Sequence, residues 1–122
     1  LWELFPGHPN LLPAFTTPNA LPTPSAGYVA KPRLGREGAN VRVVDGSGAV
    51  VAENDGGYGE EGFVFQERAR FSAIDGKTPV IGSWVVGETP AGIDLRETGG
   101  PITGDLAEFV PHLILPAGTE SI

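Results

Sequence analysis

The fold is decided by the stretch Tyr28-Val-Ala-Lys-Pro-Arg-Leu-Gly-Arg-Glu-Gly-Ala-Asn-Val-Arg-Val-Val44. Its β-prone ends and its glycine-containing centre predict a strand, a flexible loop and a second strand. Pro32 disfavours the helical conformation at Lys31, so we expect this lysine to project from the end of a strand. Backbone N–H groups near Gly35 and Gly38 are able to approach phosphate oxygens closely, because glycine has no Cβ.

Two interpretations of this loop remain open. The positive charges of Lys31 and Arg36 suit a phosphate group. An ordinary glycine-containing hairpin explains the same spacing and is favoured on spacing alone. The stretch is not a Walker loop, because no Gly-Lys-Ser or Gly-Lys-Thr follows, and it does not contain Gly-x-Gly-x-x-Gly.

The composition of the chain disfavours or excludes several classes of function. The 122 residues are enough for one domain or part of one, and a formal net charge of −7 disfavours a general nucleic-acid or anionic membrane surface. Four of the eight cations fall within twelve residues, at Lys31, Arg33, Arg36 and Arg42. The absence of cysteine excludes disulfides, a thiolate nucleophile and cysteine-bound zinc, and it fits a cytoplasmic protein.

The N-terminal region is expected to connect this chain to more protein. Leu1 to Phe5 are predicted to be the last turns of a helix, which Pro6 stops. The rest of the segment up to residue 27 is rich in proline and is predicted to be an extended connection. Residues 1–122 are thus interpreted as one segment of a longer polypeptide, in which residues 28–122 form a β-rich lobe.

The remaining pattern predicts more strands than helix. Asp45-Gly-Ser-Gly48 is expected to join two strands, and an apolar run at Val80–Val86 is expected to form a second hairpin with Ala91–Arg96. The unbroken apolar run predicts burial on both faces, with Trp84 in the core. One helical turn capped at Asp105 and a β-prone tail complete the prediction of an α+β, predominantly antiparallel β fold.

Several side chains have two plausible roles at this level. The segment Phe65–Ala69 is either the polar end of a strand or an extended linker whose backbone meets an adenine edge. Arg96 is either a surface cation paired with Glu97 or an anion contact in a cleft. His8 and His112 lack a second ligand at useful spacing, so no metal site is predicted.

Blocks of residues distributed along the whole chain carry a resemblance to a known family. They are Leu1-Trp-Glu-Leu-Phe-Pro-Gly-His-Pro-Asn-Leu-Leu12, Tyr28-Val-Ala-Lys-Pro with Arg36-Glu-Gly-Ala-Asn40, Tyr58-Gly-Glu-Glu-Gly-Phe-Val-Phe-Gln66, Ile81-Gly-Ser-Trp-Val-Val86, Ala91-Gly-Ile with Arg96-Glu97, and Phe109-Val-Pro-His112. Together they resemble the C-terminal part of the glutathionylspermidine synthase family, whose members have an ATP-grasp fold. The resemblance implies an ATP-dependent carboxylate–amine ligase, which activates a glutathione-like peptide carboxylate as an acyl phosphate and transfers it to a polyamine-like amine.

The resemblance also implies roles for individual residues at the phosphate end of the site. Lys31 matches the strand lysine that contacts the nucleotide phosphates, and Arg36 and Gly38 match the flexible loop that closes over them. These roles favour the phosphate interpretation over the ordinary hairpin.

The resemblance also implies roles at the adenine end of the nucleotide site. The linker that holds adenine is matched by Gln66, Glu67 and Arg68, and Ile102 lies near the floor of the adenine pocket. Arg96 matches an arginine that faces the reaction centre.

One departure from the family limits the expected activity. The Mg²⁺-binding carboxylates of such enzymes lie upstream, and no stretch here matches them, so this chain alone is expected to be inactive. Its exposed apolar residues, including Trp2, Leu4 and Phe5, favour self-association. The alternative is a non-catalytic, β-rich binding module with a vestigial nucleotide groove, although such a module has no need of Lys31, Arg36, Gly38 and Arg96 together.

Overall fold

A computed structural model describes residues 1–22 and 27–118, so the predicted connection at residues 23–26 and the last four residues of the lobe lie outside it. The described residues form a five-stranded and a three-stranded sheet, both antiparallel. The strands are β1 (Ala14–Phe15), β2 (Tyr28–Pro32), β3 (Arg42–Val44), β4 (Val50–Glu53), β5 (Phe63–Glu67), β6 (Thr78–Val86), β7 (Thr89–Thr98) and β8 (Glu108–Phe109).

The five-stranded sheet has the order β1-β5-β2-β3-β4. The strand, loop and strand predicted for residues 28–44 are confirmed as β2 and β3, and the predicted hairpin from β3 to β4 also forms. Val29 pairs with both Val43 and Gln66. Side chains alternate between the faces of a sheet, so these three lie on one face together with Lys31.

The core is small and lies where β2 meets β3. Only 1% of Val43 and 3% of Val44 are exposed, and Ala30 and Leu21 are also buried. Gly27, at φ +87°, enters β2 so close to β3 that a Cβ would overlap the carbonyl of Val44. This position therefore requires glycine for steric and conformational reasons.

The three-stranded sheet has the order β6-β7-β8. Its long hairpin was predicted, and Gly87 provides the positive φ of its two-residue turn. The predicted burial of β6 is wrong, because Ile81 is 70% exposed and Trp84 57% exposed. Among the described residues no second layer covers either face of this hairpin, so its apolar side chains remain at the surface.

The predicted α component is not supported. Within residues 1–22 and 27–118 there is no α-helix, only a 3-10 helix at Pro18–Ala20. Leu1 accepts hydrogen bonds from the N–H groups of Leu4 and Phe5, which makes one isolated turn. Pro6 follows this turn and cannot continue it as a helix.

The C-terminal predictions also need correction. Asp105 lies in a turn that the N–H of Ala107 closes on the carbonyl of Gly104, and it caps no helix. The chain instead enters β8, which pairs with β7. After β8, Val110 donates to Leu95, and no strand is formed over residues 111–118.

The surface of the chain is large for its mass. The accessible area is 9085 Å², whereas a compact monomer of 12.7 kDa has about 6,200 Å² by the usual scaling. Exposed apolar side chains such as Leu1, Phe5 and Trp84 account for part of the excess. No helix in the described residues is long and apolar enough to cross a bilayer.

Candidate functional site

A small cavity lies on the face of the five-stranded sheet that carries Val29 and Lys31. Its volume is about 210 Å³, and it is lined by Leu12, Val29, Lys31, Val43, Gln66, Glu67, Arg68, Ala69, Phe71 and Pro101. The fold therefore brings four of the predicted site residues to one place. These are Lys31, Gln66, Glu67 and Arg68.

Lys31 and Gln66 are in direct contact at this cavity. The Nζ of Lys31 donates to Oε1 of Gln66 at 2.6 Å, and both side chains are half-buried. The contact arises because β5 returns beside β2, which places the two residues on neighbouring strands of the same face. An ammonium has three N–H groups, so two remain for a ligand oxygen.

The linker after Gln66 is held by backbone hydrogen bonds. The N–H of Glu67 donates to the carbonyl of Pro13, and the N–H of Arg68 donates to the carbonyl of Gly27. These two donors are therefore committed to the fold. An adenine edge at this linker would have to use other groups, such as the Gln66 amide or the peptide of Ala69.

Gly38 and Ile102 are also brought together, but neither lines this cavity. Gly38 has φ +73°, and a Cβ on it would lie 2.7 Å from Cγ2 of Ile102 and 2.8 Å from the carbonyl oxygen of Thr103. Ile102 does not line the cavity that Lys31 lines, whereas its neighbour Pro101 does. Sequence reasoning did not identify Pro101, which nothing in the local pattern distinguishes.

Arg36 does not meet Lys31 in this structure. It lines a separate, wider cleft of about 750 Å³ together with Asp55 and Tyr58. Its Nη2 donates to Oε1 of Glu37 at 2.6 Å, and its side chain is 71% exposed. This hydrogen bond and the charge of Glu37 raise the pKa of Arg36 above its usual value.

Arg96 is not the surface cation paired with Glu97 that was one of the two roles considered for it, while its role as an anion contact stays a prediction. Its guanidinium lies 5.7 Å from the ring centroid of Phe109, and its Nε lies 3.8 Å from Oδ2 of Asp94. That Nε is buried and has no hydrogen-bond partner among the described residues. Glu97 instead pairs with Lys77 at 3.3 Å.

The described residues do not supply a metal site. Nowhere in these parts of the chain are three His, Cys, Asp or Glu side chains grouped to hold a metal ion. The ring of His8 accepts the N–H of Asn10, which is a local structural contact. The residues present therefore do not fit the Mg²⁺ that the resemblance implies.

Comparisons with known proteins support the family that the sequence resembles. The family described as glutathionylspermidine synthase preATP-grasp matches residues 1–115. That description names the preATP-grasp part, so it does not support the predicted position in the C-terminal ATP-grasp part.

Three relatives are similar to nearly all of this chain. A Haemophilus influenzae protein named "Putative acid--amine ligase" is 42% identical over 95% of the chain and 31% of its own length. The trypanothione synthetase of Crithidia fasciculata is 38% identical over 85% of the chain and 16% of its own length. The bifunctional glutathionylspermidine synthetase/amidase of Escherichia coli is 33% identical over 94% of the chain and 18% of its own length. The chain thus spans less than a third of these relatives.

Proposed function

This chain belongs to the glutathionylspermidine synthase preATP-grasp family, and from that membership we propose that it forms the nucleotide-binding part of an ATP-dependent carboxylate–amine ligase. The observation that carries the proposal is the cavity in which Lys31 and Gln66 meet beside the Glu67–Arg68 linker. The names of the relatives support a ligase that joins an acid to an amine.

The chemistry of the cavity suits a nucleotide. Its walls include apolar side chains from Val29, Val43 and Pro101, against which a purine ring can pack. Lys31, which contacts Gln66 directly, provides an ammonium for phosphate oxygens, and a charge-assisted contact of this kind is stronger than a neutral one. The placement in an ATP-grasp domain is part of this proposal and rests on the sequence resemblance.

The proposed reaction has two steps. A carboxylate oxygen of a glutathione-like peptide attacks the γ-phosphorus of ATP, the bond to ADP breaks, and an acyl phosphate forms. The amine nitrogen of a polyamine-like substrate then attacks the acyl carbon, phosphate leaves with the bonding electrons, and the nitrogen loses a proton to give the amide. Lys31 stabilises phosphate charge in the first step, and Arg96 faces the reacting carboxylate.

The proposal also includes two parts of the site that do not lie in the cavity with Lys31, namely Arg36 and the ligands for Mg²⁺. Arg36 reaches the phosphates only when its loop closes, because in this structure it is paired with Glu37. The ligands for Mg²⁺ come from the remainder of the natural protein, as the resemblance implies. We expect that protein to act in the cytoplasm.

The second candidate is a non-catalytic binding module with a vestigial nucleotide groove. One observation favours it, namely that Arg36 lies apart from Lys31. Such a module would bind ATP without turning it over.

One assay separates the two candidates. The natural protein at its full encoded length is incubated with Mg-ATP, glutathione and a panel of polyamines, and ADP release is measured together with the mass of any amide product. The ligase proposal predicts ADP release that requires both the acid and the amine. Tight ATP binding without substrate-dependent ADP would favour the binding module.

A further inference from the structure

Trp84, Asp94 and Arg96 form a chain of contacts on one face of the three-stranded sheet. The indole Nε1 of Trp84 donates to Oδ1 of Asp94 at 2.5 Å, while Oδ2 of the same carboxylate lies 3.8 Å from Nε of Arg96. Trp84 is more than half exposed, so the contact with Asp94, not burial in a core, defines its position.

The strand register makes this arrangement possible. Asp94 lies opposite Gly82, and a Cβ at Gly82 would overlap the Asp94 carboxylate. Arg96 lies opposite Phe109 of β8, whose ring is under the guanidinium. Gly82 therefore leaves the space in which the carboxylate lies across the sheet between the indole and Arg96.

The contacts hold Arg96 without using up its hydrogen-bond donors. A guanidinium has five N–H groups. The one on Nε is buried, and at 3.8 Å the Asp94 carboxylate attracts the charge without accepting a hydrogen bond from it, so the four N–H groups on the two Nη atoms are the ones left for a ligand. The other carboxylate oxygen of Asp94 accepts a hydrogen bond from the Trp84 indole. Without the indole, Asp94 would be free to rotate and form a bidentate pair with Arg96, which would remove its donors from any substrate.

We propose that Asp94 and Trp84 are positioning residues for Arg96: Asp94 orients the guanidinium, and Trp84 keeps Asp94 from forming a bidentate pair that would take up its N–H groups. This rests on the proposed function, in which Arg96 faces the reacting carboxylate. A preorganised cation loses less rotational freedom when charge develops on the substrate, so the effect is greatest on turnover.

The first readout is the reactivity of Arg96 itself, which does not require ligase activity. The full-length natural protein is treated with phenylglyoxal, and the modification of Arg96 is mapped by peptide mass spectrometry relative to the exposed Arg33. Asp94→Asn should speed the modification of Arg96, because the carboxylate no longer holds it. Trp84→Phe should slow it, because the released carboxylate pairs with it.

The double variant gives the sharpest comparison. If Trp84 acts only through Asp94, then Trp84→Phe has no further effect once Asp94→Asn is present. Trp2→Phe is the matched control for the loss of an indole, and Ser83→Ala is the control on the opposite face of β6. Both should leave the modification rate of Arg96 unchanged, and thermal unfolding checks that every variant folds.

The second readout separates positioning from binding. Each single variant should lower kcat about tenfold while KM for ATP stays within about twofold, since the interaction is realised in the transition state. If neither single variant changes the phenylglyoxal reactivity of Arg96, or if the double variant differs from Asp94→Asn, the positioning roles are refuted. A wild-type protein with no ligase activity would refute the proposed function instead, and the phenylglyoxal rates would still decide the positioning roles.

Discussion

Removing the ammonium of Lys31 should weaken the binding of ATP. Lys31→Ala deletes the one lysine that reaches the cavity and leaves Oε1 of Gln66, its partner at 2.6 Å, without that donor. A hydrogen bond to a charged group is worth about 1.5–3 kcal/mol. With 1.36 kcal/mol for each factor of ten, the dissociation constant for ATP should rise by roughly 10- to 150-fold.

We expect the rise in the dissociation constant to fall in the lower half of that range. Lys31 is only half-buried, and its contact with Gln66 has to be shared with a ligand oxygen. Partial exposure to water weakens a charged contact. We therefore expect a rise of about ten- to thirtyfold.

The assay is isothermal titration calorimetry of Mg-ATP into the full-length natural protein. Arg42→Ala is the matched control, because Arg42 is a cation of the same sheet that lies on the opposite face and pairs with Glu53. The control should leave the dissociation constant nearly unchanged. An unchanged ATP affinity in Lys31→Ala, or an equal loss in both variants, would refute the role given to this cavity.

Three further predictions concern other parts of the chain. Arg36→Ala should lower kcat more than it weakens ATP binding, because its loop has to close over the nucleotide first, and steady-state kinetics beside calorimetry test this; equal losses in both quantities would contradict it. The pKa of Asp45 is lowered by hydrogen bonds from the hydroxyl and N–H of Ser47 and from the N–H of Ala49. The ionised carboxylate therefore stabilises the fold at pH values above the unfolded-state pKa, and this stabilisation is lost as the pH falls through the folded-state pKa. Thermal unfolding of Asp45→Asn should thus depend less on pH below about pH 4 than that of the wild type, and an identical pH profile would contradict this. The isolated 122-residue chain should self-associate through exposed apolar surface, including Leu4 and Phe5, and should release no amine-dependent ADP; a monomeric, active chain in sedimentation and coupled assays would contradict both expectations.

Local sequence signals predicted most of the strands because turn chemistry is local. The Asp45-Gly-Ser-Gly48 turn and Gly87 fix both hairpins from a few neighbouring residues. Burial was predicted less well, since it depends on what covers a strand. The apolar run of β6 has the composition of a buried strand, but among the described residues no layer covers it, so Trp84 is exposed.

Four of the residues named from the sequence, Lys31, Gln66, Glu67 and Arg68, line one cavity, but their arrangement was not predictable from the sequence. The contact of Lys31 with Gln66 joins strands 35 residues apart and depends on the pairing of β2 with β5, which no local pattern specifies. The Trp84–Asp94 contact was missed because the turn at Gly87 does not set it. Continuing the pairing of Val85 with Pro90 would bring Gly82 opposite Ile93, and an irregularity between Trp84 and Val85 shifts the register so that Gly82 lies opposite Asp94.

The most direct test of the central claim is a crystal structure of the full-length natural protein with a non-hydrolysable ATP analogue. We predict that the phosphates lie within hydrogen-bond distance of Nζ of Lys31, with the adenine between Gln66 and Pro101. Nucleotide bound instead on the opposite face of the five-stranded sheet, or away from this chain altogether, would contradict the account.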